Sequence, residues 1–302
     1  MSILFAGIDG GQSSTVAVVG DESGAILGRG GAGAADEVGT GPESTRLRDA
    51  LALALDAALA CARLPGDATF AAIVAGVSGY DGCVYGAAPR LPAERFVLMH
   101  DAPIAHAGAL GGKPGVVVIA GTGSVVYARD ELGKEATYGG WGYLFGDEGS
   151  AFGIAREALS LLMRASDDGE RAPRLEIAKV CEYFGQSSLR ALVHAFSTGT
   201  LSRAHIAAWA PYVLDAPAFR QVVQRGADRL VALSAKACEE SSVKRVALSG
   251  GLFNDERYYD LVASGIAAQI AAEVLRAKYE PAEGALLLAY REAGYQVTEL
   301  RE

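Results

Sequence analysis

Apolar and polar positions alternate in short blocks along most of the chain. Ile3-Leu4-Phe5-Ala6-Gly7-Ile8 is an apolar run of strand length. Thr15-Val16-Ala17-Val18-Val19 and Ala25-Ile26-Leu27-Gly28-Arg29 follow it across the turns Asp9-Gly10-Gly11-Gln12-Ser13-Ser14 and Asp21-Glu22-Ser23-Gly24. Runs of this kind, bounded by glycine and aspartate, predict an antiparallel meander. The period then changes. Over 42–62, Leu47, Leu51, Ala54, Leu55, Ala58 and Leu59 fall on one helical face, and Pro42 suits the first helical position. Strands are predicted over 71–75 and 95–99, and a helix through 104–110. The pattern then restarts, with strands over 116–120, 124–128 and 134–138 and a helix over 150–164. A helical insert over about 173–240 follows, then a strand over 244–248, a helix after Asn254, a short strand near 272–275 and a last helix over 282–293.

The expectation is an α/β protein in which the order βββαβαβα occurs twice. Asp9-Gly10-Gly11-Gln12-Ser13 and Ala120-Gly121-Thr122-Gly123-Ser124 take the same place in each half, between the first and second strands. Two such halves are expected to face each other across a cleft, where open α/β sheets favour ligands. The boundary is expected near Gly111-Gly112-Lys113-Pro114. The first domain would comprise 1–112 plus about 287–302, and the second 113–286.

Candidate chemistry is densest between Val116 and Ser150. A β-branched run enters Gly121-Thr122-Gly123-Ser124, where backbone N–H groups can approach an anion with no Cβ in the way. Gly139-Gly140-Trp141-Gly142 and Gly146-Asp147-Glu148-Gly149-Ser150 follow. Together they read as a phosphate loop beside an aromatic platform and a carboxylate; each alone also suits a tight hairpin and an ordinary loop.

Composition narrows the function. The 302 residues are 50% hydrophobic and 21% charged, the balance of a soluble globular protein. A net charge of −9 without a Lys/Arg cluster argues against nucleic acid as a partner. Cys61, Cys83, Cys181 and Cys238 are widely spaced, so reduced thiols are expected rather than a disulfide scaffold, zinc or iron–sulfur site. No signal-peptide pattern and no run of ~18 apolar residues is found, which points to a cytoplasmic protein without a membrane partner. His100, His106, His194 and His205 lack metal-ligand spacing and read as structural.

With both glycine turns and the Trp loop in place, the chain resembles the sugar-kinase/Hsp70/actin superfamily, whose halves are ribonuclease H-like (actin-like ATPase) domains. Within it, the chain is most similar to the N-acetylglucosamine kinases and the BadF/BadG/BcrA/BcrD ATPases that activate reductases and dehydratases. The motifs carrying the resemblance are Gly7-Ile8-Asp9-Gly10-Gly11, Ala120-Gly121-Thr122-Gly123-Ser124, Gly139-Gly140-Trp141-Gly142 and Gly146-Asp147-Glu148-Gly149-Ser150. It implies ATP and Mg²⁺ as cofactors, an amino sugar as substrate, phosphorylation at its 6-hydroxyl, and a homodimer. It implies that Gln12, Ser13 and Thr122 lie by the nucleotide phosphates and that Gly250, Gly251 and Asn254 lie on the adenosine side. Asp101 matches the catalytic aspartate, and Gly140, Trp141, Gly142, Asp147 and Ser78 match sugar contacts. Two positions depart from the pattern: Gln12-Ser13 replaces a third glycine and Thr, and Asp36 is the nearest counterpart of a sugar-binding Asn.

These assignments make chemical sense. Asp9 would hold Mg²⁺, which takes few carboxylates and keeps waters, or it is simply a turn residue. Gly10, Gly11, Gly121 and Gly123 would offer N–H groups to phosphates, with the hydroxyls of Thr122 and Ser124. Asp101 is either the base that takes the proton from the sugar hydroxyl or a helix N-cap. Asp147 and Glu148 are expected to begin a helix, Asp147 reaching sugar hydroxyls and Glu148 serving either as a cap or as a support behind the residues that touch the sugar. Trp141 would pack on an apolar sugar face or fill a core. Asp167-Asp168-Gly169-Glu170 reads as a solvated loop.

Gly28-Arg29-Gly30-Gly31-Ala32-Gly33 matches the dinucleotide-binding string but opens no helix, which that site requires. The rivals are an activator-type ATPase, a glucosamine kinase on the same fold and a non-catalytic ATP-dependent sensor.

Overall fold

A computed structural model describes residues 2–37, 39–169 and 174–302. In chain order it contains β1 (Leu4–Gly10), β2 (Thr15–Asp21), β3 (Ile26–Ala32), α1 (Arg46–Cys61), β4 (Phe70–Val77), β5 (Ala93–His100) and α2 (Asp101–Leu110). Next come β6 (Gly115–Ala120), β7 (Ser124–Arg129), β8 (Glu135–Gly139), α3 (Gly142–Phe145) and α4 (Ala151–Asp167). The insert consists of α5 (Arg174–Tyr183), α6 (Leu189–Ser197), α7 (Arg203–Ala207), α8 (Ala210–Asp215) and α9 (Arg220–Ser241). The chain ends with β9 (Arg245–Ser249), α10 (Glu256–Gln269), β10 (Glu273–Arg276) and α11 (Pro281–Glu292). Glu170 of the acidic loop and Pro173 at the expected start of the insert lie outside the described residues.

The chain divides into two compact units. One holds the chain up to Val117 with Tyr127–Glu135 and Leu275–Glu302; the other holds Val118–Val126 and Ala136–Val274. The first unit's sheet has the order β3-β2-β1-β4-β5. β1 runs antiparallel to β2 and parallel to β4, with Asp9 opposite Val16 and Gly76. Alternation along β1 explains its two covered faces. Leu4, Ala6 and Ile8 join a core with Leu47, Leu51, Leu55 and Leu59 of α1. Phe5 joins a second core with Ile104 of α2 and Ala285, Leu286 and Tyr290 of α11.

Helix and sheet come unusually close where glycine leaves room. A Cβ on Gly7 would sit 2.1 Å from the Leu286 nitrogen of α11, and one on Gly30 would sit 2.2 Å from the Ala58 nitrogen of α1. Two glycines of the dinucleotide-like string serve packing: Gly28 and Gly30 are strand residues on which α1 lies.

The second sheet has the order β10-β9-β6-β7-β8, the same topology as the first read from β5 to β3. Three differences from the expected elements have local causes. The first helix starts at Arg46 rather than Pro42, because the Ser44 carbonyl is taken by Ala87 N–H at 2.8 Å and the helical ladder begins at Thr45. No helix joins β4 to β5; that segment is irregular, as Gly79, Gly82, Gly86, Pro89 and Pro92 dictate. Glu148 does not cap α4. Ser150 does, accepting from Gly153 N–H at 2.9 Å, and Asp147 precedes the helix in a left-handed conformation at φ +60°.

Candidate active site

The first unit gathers its candidates at the C-terminal ends of β1, β4 and β5, the edge where open α/β sheets place ligands. The turn after β1 closes with Gly11 N–H donating to Ser14 O at 2.9 Å. Gly10 O accepts from Ser78 N–H at 2.9 Å, and Gly11 O accepts from Ala35 and Asp36 N–H at 3.0 and 3.4 Å. Asp9, Gly10, Gly11, Asp36 and Ser78 therefore lie together. Asp36 is buried, with its carbonyl bonded by Arg46 Nη1 at 3.2 Å. Gln12 and Ser13 are exposed at the tip of the turn.

Asp101 joins this group from the end of β5. It is the first residue of α2, whose N-cap is His100; the Nδ1 atom of His100 accepts from Ala102 N–H at 3.2 Å. Asp101 is thus not the cap, and the macrodipole at a helix start favours its charge. His100 Nδ1 lies 2.8 Å from Asp101 Oδ1, so when protonated it donates to that carboxylate in place of capping Ala102, and this raises the imidazole above its ordinary pKa. Asp9 is mostly buried. Burial first, then the charges of Asp101 and Glu280, push its carboxyl up to about 7. His106 alone behaves as a core histidine: Nε2 meets Gly115 O at 3.1 Å, and burial pushes the ring down to about 4.

The second unit builds its own group where β6 turns into β7. Gly121 N–H donates to Gly123 O at 2.9 Å, while Ala151 and Phe152 N–H at the start of α4 donate to Gly121 O and Thr122 O at 2.9 and 3.2 Å. Gly250, at φ +105°, presses on Ala120, where a Cβ would come within 2.5 Å of the carbonyl oxygen. Gly251 opens onto free space beside it, and Asn254 is exposed. Ser124 faces inward, its hydroxyl donating to Glu148 O at 2.8 Å.

Asp147 is 4% exposed. Its Oδ1 accepts from Ser124 N–H at 3.2 Å and its Oδ2 pairs with Arg203 at 2.7 Å. Gly139, Gly140 and Gly142 all have left-handed φ, and this kinked segment leaves Trp141 74% exposed, so Trp141 is no core residue. Tyr143, Leu144 and Phe145 continue the exposed apolar loop.

Two residues at these sites escaped the sequence reading. Glu280 and Arg203 carry no local signal, since their partners lie far away in sequence. Among the described residues, no group of three His, Cys, Asp or Glu side chains is arranged to enclose a metal ion, and no helix is long and apolar enough to cross a membrane.

An N-acetylmuramic acid/N-acetylglucosamine kinase of Clostridium acetobutylicum is 29% identical over 210 residues, 66% of this chain and 68% of that protein. A solved structure from Chromobacterium violaceum, provisionally named an N-acetylglucosamine kinase, superposes with a TM-score of 0.79 at 28% identity, covering 95% of this chain and 99% of that one. Component A of the (R)-2-hydroxyglutaryl-CoA dehydratase of Acidaminococcus fermentans shares the fold, with a TM-score of 0.50 at 15% identity over 97% of this chain and 100% of that one. The fold is the two-domain α/β architecture of the actin-like ATPases. The sequence pattern of the BadF/BadG/BcrA/BcrD ATPase family matches residues 6–289, and the chain belongs to that family.

Proposed function

We propose that the chain is an ATP-dependent kinase that phosphorylates the 6-hydroxyl of N-acetylglucosamine or a closely related amino sugar. The observation that carries this reading is the electrostatic coupling of Asp9 and Asp101, at the C-terminal ends of β1 and β5 on either side of β4 and beside a glycine turn. Phosphoryl transfer needs positioning and charge neutralisation more than covalent help. Asp101, 33% exposed on its side chain, is the base that takes the proton from the sugar hydroxyl. The N–H groups of Gly10, Gly11, Gly121 and Gly123 hold phosphate oxygens, joined by Gln12, Ser13 and Thr122. Gly250, Gly251 and Asn254 line the adenosine side. Asp36, Ser78, Gly140, Trp141, Gly142 and Asp147 receive the sugar, with the exposed indole against an apolar sugar face. The names of the Clostridium and Chromobacterium proteins support an amino sugar over other acceptors.

Mg²⁺ fits Asp9. A carboxylate pushed up to about 7 by burial and by two neighbouring acids gains from a nearby cation, and Mg²⁺ is commonly held by one or two carboxylates together with phosphates and water. When bound, it supplies charge neutralisation on the phosphates. Asp9 holds it, and Asp101 is left to handle the proton. A cytoplasmic homodimer belongs to the same reading.

The test is ADP release in a coupled assay with a panel of 2-substituted hexoses. We expect turnover only when an amino sugar is present. Sugar-independent release would make the protein an ATPase of the activator type, and negligible release with every sugar would make it a sensor.

A further inference from the structure

We propose that Arg203 is a positioning residue of the sugar site, holding the Asp147 carboxylate against the second glycine turn so that its remaining lone pairs meet sugar hydroxyls. The proposal rests on the kinase reading above. Arg203 opens α7 in the insert, and its place is fixed by a capping box in which Ser202 and His205 bond each other's backbone N–H. Its Nη2 reaches Asp147 Oδ2 at 2.7 Å, with the two side chains 19% and 5% exposed. The guanidinium lies 5.4 Å from the Tyr143 ring centroid and 5.7 Å from that of Phe152, so two aromatic faces orient it.

The glycine turn accommodates the pair. A Cβ on Gly123 would stand 2.6 Å from Arg203 Nη2 and 3.0 Å from Asp147 Oδ2, so a side chain there would displace the ion pair from its seat on the turn. Asp147 itself is one of three non-glycine residues with positive φ, at +60° among the described residues, a conformation that persists only where its surroundings impose it. Three contacts impose it here: Arg203, Ser124 N–H on Oδ1, and Ser150 N–H on the Asp147 carbonyl at 3.1 Å. A carboxylate has about four lone-pair sites. Ser124 and Arg203 take one on each oxygen, and those remaining can accept from hydroxyls. Without the guanidinium, Asp147 would be a buried charge with no counter-ion, which is strongly unfavourable.

The test is steady-state kinetics on wild type, Arg203→Met, Arg203→Lys, Asp147→Asn and the Met/Asn double variant, each checked for a cooperative melt. Arg203→Met should raise the sugar KM at least about tenfold while the ATP KM stays within about twofold. Arg203→Lys, which keeps the charge and loses the planar fork, should fall between, at about threefold. In the Asp147→Asn background, Arg203→Met should add less than about twofold, because both lesions remove one interaction. A sugar KM unchanged in Arg203→Met, a rise undiminished in the Asn background, or a rise in the ATP KM instead would each overturn the proposal. If Arg203→Met does not fold, Arg203→Lys decides alone: an unchanged sugar KM overturns the proposal and a selective rise supports it. Wild type without sugar-dependent turnover would remove the kinase reading and this proposal with it. Normal wild-type turnover with indifferent Arg203 variants would remove this proposal only.

Discussion

Asp9 and Asp101 give the two predictions that belong to single residues. Burial and two neighbouring acids keep the proton on Asp9 of the folded protein up to about pH 7, whereas an unfolded chain releases it near the ordinary aspartate value of 3.8. Stability without a bound cation therefore falls as pH rises through that window. Asp9→Asn should remove the fall: its advantage over wild type in urea denaturation should grow from pH 4 to pH 8 by a few kcal/mol, while turnover is lost. An advantage independent of pH would contradict a buried, charge-crowded carboxylate. Asp101→Asn should lower kcat by at least ~10² with ATP affinity retained, measured by steady-state kinetics and nucleotide titration. Near-normal turnover would remove Asp101 from its role. Asp9 and Asp147 stood out in the sequence because each adjoins a glycine motif, and Asp101 because it stands where a strand gives way to a helix. Glu280, which presses on Asp9, and Arg203, which pairs with Asp147, did not, because only the folded chain brings them there.

At the scale of elements, glycine is as informative as the apolar pattern. The strand β3 carries a glycine string rejected as a cofactor loop because no helix follows it, and its Gly28 and Gly30 admit α1 against the sheet. Gly30→Val should force α1 off β3, since its Cβ would lie 2.2 Å from Ala58 N and 2.3 Å from Ala54 O. A loss of roughly 3 kcal/mol or more is expected in urea denaturation; an unchanged midpoint would mean that α1 yields easily. In α2, His106 is 2% exposed, and burial, helped by the charges of Arg129 and Arg291, pushes its imidazole from the ordinary 6.5 down to about 4. The unfolded chain binds the proton first as pH falls, so stability drops between about pH 6.5 and 4. The advantage of wild type over His106→Asn should shrink by ~3 kcal/mol from pH 7 to pH 4. A constant advantage would contradict a neutral buried ring. Strands and long helices were readable from period and punctuation. The start of α1 was not, because Ala87 competes for the Ser44 carbonyl from more than forty residues away.

For the whole molecule, the repeated order of strands and turns was the most telling signal. Both sheets share one topology, and in each a glycine turn follows the central strand. That repetition is visible in sequence because burial on both faces forces β-branched runs, and a tight turn between strands favours glycine. The missing helix between β4 and β5 shows that such a repeat is one of topology and not of every element. The family places the chain among ATPases; whether its phosphoryl group passes to a sugar or to water is the remaining chemical question. The most direct measurement is the ratio of sugar phosphate formed to ATP consumed, with ³¹P NMR to locate the new ester. The account predicts one sugar phosphate per ATP, esterified at the 6-hydroxyl of an amino sugar. ATP consumed with no sugar phosphate formed would contradict it.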